Sequence, residues 1–107
     1  MTKTIRSQVV LAVVVSLASA VGFAQSAGEA TYKAKCQMCH GATGQADTPM
    51  GKTLKVKPVS DPDVRKFSED RMIDATRNGM DKMQGFKDKL TDQQIKDSVA
   101  YFRTLIK

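Results

Sequence analysis

The chain of 107 residues has no tryptophan, two tyrosines, four phenylalanines, two cysteines and a single histidine. Such a length accommodates one small domain. So few aromatic side chains leave little bulk for a self-sufficient core. Short chains of this kind often complete their core with a cofactor, metal or disulfide. Two cysteines and one histidine fall short of the four ligands of a zinc site, and nothing in the sequence places carboxylates to make up the number. Strand-like alternation is missing around the cysteines, so a thioredoxin-like motif lacks its βαβ setting. No Lys/Arg-dense run with interleaved aromatics is present, which argues against nucleic acid as a partner.

A long apolar run is also missing. The longest, Val9 to Ala24, has 16 residues, short of the ~20 that cross a membrane. It follows Lys3 and Arg6 and ends in small residues, the pattern of a signal peptide over residues 1–24. Cleavage is expected before Gln25, with Ala20 and Ala27 as alternative sites. The mature domain is then 25–107, 83 residues without stable membrane insertion. The formal charge of +6 falls to +4 when Lys3 and Arg6 leave. That moderate basic balance suits docking to acidic partners or simple solubility.

The pattern along 25–107 is helical. Residues 25–27 read as a frayed leader and a helix runs from Gly28 to Cys36. Gly41, Gly44, Pro49, Gly51 and Pro58 punctuate residues 41–60, which read as a loop without regular structure. Asp61-Pro62 opens a short helix over 62–66. Ser68, followed by Glu69 and Asp70, caps another that turns Met72, Ile73 and Thr76 inward and stops at Asn78-Gly79. After a second loop over 80–90, Thr91-Asp92-Gln93-Gln94 is a capping box. The last helix runs to about Ile106, with Ile95, Val99, Phe102 and Ile106 as its apolar stripe.

What the sequence does contain is Cys36-Gln37-Met38-Cys39-His40, which reads C-x-x-C-H, the attachment signature of c-type haem. On a helical turn, residues three and four apart share a face. Cys36, Cys39 and His40 therefore project together, two thiols for the haem vinyl groups and one imidazole for the iron. A plain disulfide would leave the histidine after the second cysteine unexplained. With only one histidine, bis-His ligation within the chain is excluded, and a thioether is the obvious second ligand. Met38 lies within the attachment turn, Met50 follows closely on the proximal side, and Met72 belongs to an inward helix face. Met80 and Met83 remain, both in the loop between two helices.

The C-x-x-C-H turn, the Met83-Gln84-Gly85-Phe86 stretch and a last helix containing Val99-Ala100-Tyr101-Phe102 together resemble a class I c-type cytochrome, the small bacterial monohaem kind. The resemblance covers nearly all of residues 28–107. It implies an all-α small cytochrome c fold, three to five helices wrapped around one covalently attached haem c with its iron. It implies a soluble one-electron carrier, not an enzyme, between periplasmic or membrane redox partners. A dehydrogenase, reductase or oxidase, with an acidic face, would suit the basic charge; a monomer is expected. The family commonly has Met-Pro-x-Phe at the distal ligand, so the match selects Met83 over Met80, with Gln84 in place of the proline. The resemblance further implies that the Pro49 carbonyl accepts from the ring N–H of His40. It also implies that Gly28 and Tyr32 meet Tyr101 or Phe102 where first and last helices cross. Lys52, Lys55 and Lys57, with Lys82, Lys87 and Lys89, are expected to ring the exposed haem edge. The alternative function is a haem sensor or small haem enzyme with a labile distal position.

Overall fold

Helix is already present before the glycine at position 28, where the sequence suggests it begins. In the computed structural model, which describes residue 22 and residues 25–107, α1 already includes residues 25–27 and runs to residue 35. Gln25, Ser26 and Ala27 contain no proline or β-branched side chain to oppose it. The signal peptide expected over 1–24 lies, apart from residue 22, outside the described residues.

Among the described residues five further helical segments follow: α2 Gln37–His40, α3 Pro49–Thr53, α4 Pro62–Lys66, α5 Glu69–Asn78 and α6 Asp92–Thr104. Three of the six are long, and α2, α3 and α4 have four or five residues each. No strand forms among the described residues. Met80 and Met83 make an isolated antiparallel bridge.

Local side-chain chemistry sets most of these boundaries. Asp61 accepts from the Asp63 N–H at the start of α4, where Pro62 takes the first position. Ser68 accepts from Arg71 N–H at the start of α5. At α6 the capping box is complete: Thr91 Oγ1 accepts from Gln94 N–H at 3.1 Å, and Gln94 Oε1 accepts from Thr91 N–H at 2.9 Å. Gly79 ends α5 at φ +87. The α6 helix stops at Thr104, two residues short of the expected end.

The stretch 41–60 departs from expectation. It contains α3, whose Thr48 hydroxyl accepts from Gly51 N–H at 3.0 Å and whose Pro49 stands at the first position. A five-residue helix has too few turns to show a hydrophobic period, and its internal glycine masks the capping signal. Gly51 is also the contact with α2: a Cβ there would lie 2.7 Å from the Ala46 carbonyl oxygen and overlap that of Cys39.

The core lies between α5 and α6. Val64, Met72 and Val99 form one buried cluster, with Phe102 packed against it. Phe86, Leu90 and Ile95 form a second. Helix α1 crosses α6 at Gly28, as expected from the resemblance. A Cβ at Gly28 would overlap the Asp97 carbonyl oxygen and sit 3.3 Å from Tyr101 Cβ. The Tyr32 ring lies 5.2 Å from that of Tyr101 and 6.2 Å from that of Phe102.

Candidate functional site

Helix α1 delivers the motif. Cys36 N–H donates to the Tyr32 carbonyl at 2.8 Å, and the Cys36 carbonyl then accepts from Cys39 N–H at 3.2 Å and from His40 N–H at 3.0 Å. One turn thus carries all three side chains. Gly41, at φ +82, lets the chain leave. Cys36, Cys39 and His40 all line a single cavity of about 700 Å³, within the ~300–1,000 Å³ usual for small-molecule and cofactor sites. The rest of its wall comes from the end of α1, the segment after α3, α4, α5, α6 and the loop after α5, including both Met80 and Met83.

The two thiols are unbridged. Burial, with Cys39 nearby, pushes the Cys36 thiol up to about 11. It is therefore neutral near pH 7, unlike the thiolate of a reactive cysteine. Burial lowers the pKa of His40, which favours the neutral imidazole, the form that has a lone pair for a metal. The His40 ring stands edge-on to Phe102 with centroids 5.2 Å apart.

Pro49 does not do what the resemblance implies. The Nδ1 of His40 is buried without a hydrogen-bond partner, and the Pro49 carbonyl instead accepts from the Thr53 hydroxyl at 2.9 Å. As the first residue of α3, Pro49 points its carbonyl along the helix toward residue 53. Tyr32 meets Tyr101 and Phe102 as the resemblance implies, and does more than pack. Its hydroxyl donates to the Gly41 carbonyl, tying α1 to the exit of the motif turn. Burial pushes the Tyr32 pKa up, which keeps the hydroxyl a donor. No sequence signal announced this bond beyond a tyrosine four residues before Cys36.

The methionines differ in exposure. Met38 is 71% exposed and Met50 43% exposed, while Met72 is buried in the core. Met80 and Met83 face each other across Asp81 and Lys82, with reciprocal backbone bonds of 3.1 and 2.9 Å. The Met83 side chain also packs on the cluster of Phe86, Leu90 and Ile95. Gln84 replaces the family's proline, yet the loop is anchored by other means. Phe86 N–H donates to the Thr76 carbonyl at 2.9 Å and Lys87 N–H to that of Arg77 at 3.1 Å. Gly79 and Gly85 let the two backbones meet: a Cβ at Gly79 would lie 3.0 Å from Gly85 N.

Of the six lysines expected around the haem edge, Lys55, Lys57 and Lys82 line the cavity, joined by Lys35 and Arg71. Lys57 is paired with Asp63 at 2.8 Å. Lys52, Lys87 and Lys89 do not line it, and Lys89 donates to Gln84 at 2.9 Å.

These residues fit a haem. The wall is mainly apolar, two unbridged thiols share it with the His40 imidazole, and thioether sulfur is present beside them. Among the described residues no three His, Cys, Asp or Glu side chains converge to hold a bare metal ion. No helix among them is long and apolar enough to cross a membrane.

Residues 23–102 match the family described as "Cytochrome C oxidase, cbb3-type, subunit III". Cytochrome c6 from Thermosynechococcus vestitus is 33% identical over 94 residues, covering 87% of this chain and 81% of the relative. Cytochrome c6 from Thermostichus vulcanus matches with the same identity and coverage. The solved structure titled "KustC0563 c-type cytochrome" superposes with a TM-score of 0.67 at 32% identity, covering 75% of this chain and 98% of that one. The helical fold, the C-x-x-C-H turn on an apolar cavity and these likenesses agree: the chain belongs to the small class I c-type cytochromes, monohaem electron carriers with covalently bound haem c.

Proposed function

We propose that Cys36 and Cys39 hold the haem through thioether bonds and that His40 and Met83 are its axial ligands. The carrier then moves single electrons between periplasmic or membrane redox partners after loss of residues 1–24. The observation that carries this reading is the convergence of Cys36, Cys39, His40 and Met83 on one cavity. The bound haem supplies an iron that gains and loses one electron. His40 enters as a neutral donor, steadied edge-on by Phe102. Met83 is backed by the Phe86, Leu90 and Ile95 cluster, which limits its movement. The apolar lining excludes water and so tunes the potential. With His40 and Met83 both holding the iron, the chain would leave no position for a substrate, which favours a carrier over a catalyst. Lys35, Lys55 and Lys82 at the rim suit an acidic partner surface.

Two measurements test the assignment. Mass spectrometry of the exported protein should find one haem that survives acid-acetone extraction and is lost with Cys36→Ala/Cys39→Ala. The ferric Met83→Ala protein should lose the far-red charge-transfer band of thioether ligation and have a lower potential, while Met80→Ala keeps both near wild type. Extractable haem would overturn the attachment, and the reverse methionine pattern would overturn the ligand.

A further inference from the structure

Three thioethers line the cavity, from Met72, Met80 and Met83, yet one iron position needs one sulfur. Two of the three are engaged by arginines. Arg71 Nη2 approaches Met80 Sδ at 4.0 Å, and Arg103 Nη1 approaches Met72 Sδ at 3.9 Å. Among the described residues no donor sits on the sulfur of Met83. Both arginines are held by the same residue, Phe67, just after α4. Its ring lies under the Arg71 guanidinium at 5.3 Å, and its carbonyl accepts from Arg103 at 3.3 Å.

We infer that Arg71 and Arg103 are positioning residues that select Met83 as the distal ligand by occupying the sulfurs of Met80 and Met72. This deepens the reading of Met83 as the ligand and rests on it. A thioether is a weak hydrogen-bond acceptor, but a cationic N–H takes up one of its two lone pairs, draws electron density from the other, and holds the side chain where that sulfur would have to break the contact to turn toward a metal. The need for selection is sharpest at Met80. It faces Met83 across a two-residue turn and shares the cavity with it, so backbone position alone does not separate them. Met72 is further restrained by its burial in the core. Arg71 is exposed, and its contacts are a stacked ring and a sulfur, so its removal leaves the core intact.

The experiment uses the matured holoprotein and reads the far-red band of the ferric form together with the ligand methyl signal in proton NMR of the ferrous form. Met83→Ala alone should lack both features. Met83→Ala/Arg71→Leu should regain half or more of the wild-type band, because Met80 is released. Adding Met80→Ala to that double variant should abolish it again. A double variant as dark as Met83→Ala, with native far-ultraviolet circular dichroism, overturns the role of Arg71. So does a Met83→Ala protein that keeps the band while Met80→Ala also keeps it, since Met80 is then free to bind with Arg71 in place. If Met80→Ala alone abolishes the band, it is the assignment of Met83 that fails, and the selection falls with it.

Discussion

A methyl group at position 28 would overlap the carbonyl oxygen of Asp97 across the α1–α6 crossing. Gly28→Ala should therefore destabilise the protein, although alanine is favoured over glycine in a helix by ~1 kcal/mol. Overpacking against backbone costs about 1–3 kcal/mol, so the net effect should be a lower denaturation midpoint by guanidinium titration; an unchanged or higher midpoint would mean that the helices separate freely. Tyr32→Phe removes the donor to the Gly41 carbonyl and should cost about 1–3 kcal/mol by the same titration. Residues were legible in the sequence where one helical turn carried the whole pattern, as with Cys36, Cys39 and His40. That His40 Nδ1 is left without a partner was not legible, because it depends on where a carbonyl points. Pro49 occupies a suitable place in the chain and turns that carbonyl toward Thr53.

The capped helices α4, α5 and α6 could be read almost to the residue, since Asp61, Ser68 and Thr91 each place an acceptor over free backbone N–H groups. Helix α3 has the same device in Thr48, but Gly51 inside it reads as a loop residue, and the segment is too short to show a period. Thr91→Ala should lower stability by about 1 kcal/mol, seen as a reduced thermal midpoint with unchanged absorption in the visible range. A changed spectrum would show that the cap also positions the cavity wall. Ile95 is fully buried in α6, as a member of the cluster that backs Met83. Ile95→Ala should cost about 2–5 kcal/mol and loosen that support.

For the molecule as a whole, a cavity of about 700 Å³ stands between the motif turn and the loop of Met80 and Met83. The mature chain expected from the sequence, 25–107, is too short to offset such a void with other apolar burial. The Cys36→Ala/Cys39→Ala chain made without haem should lose cooperative unfolding in far-ultraviolet circular dichroism; a sharp, fully helical transition would contradict this. The rim also has a global effect. Lys35, Lys55 and Lys82 should steer an acidic redox partner, with association faster by roughly 10–10³-fold at low salt. Stopped-flow rates should fall with ionic strength and flatten in Lys55→Glu/Lys82→Glu, whereas a flat wild-type profile would leave the charge to solubility alone.

Gly79 and Gly85 turn the loop between α5 and Phe86 into a clasp of fixed length. Each glycine lies where a side chain would strike backbone of the other limb, and the bonds from Phe86 and Lys87 back to Thr76 and Arg77 close it. Drift in this loop is then confined to its exposed outer positions, Asp81, Lys82 and Gln84, which can change at little cost to the fold. A single inserted residue would shift Met80 and Met83 out of register together. Among descendants of this chain, the loop should therefore vary in spelling and never in length.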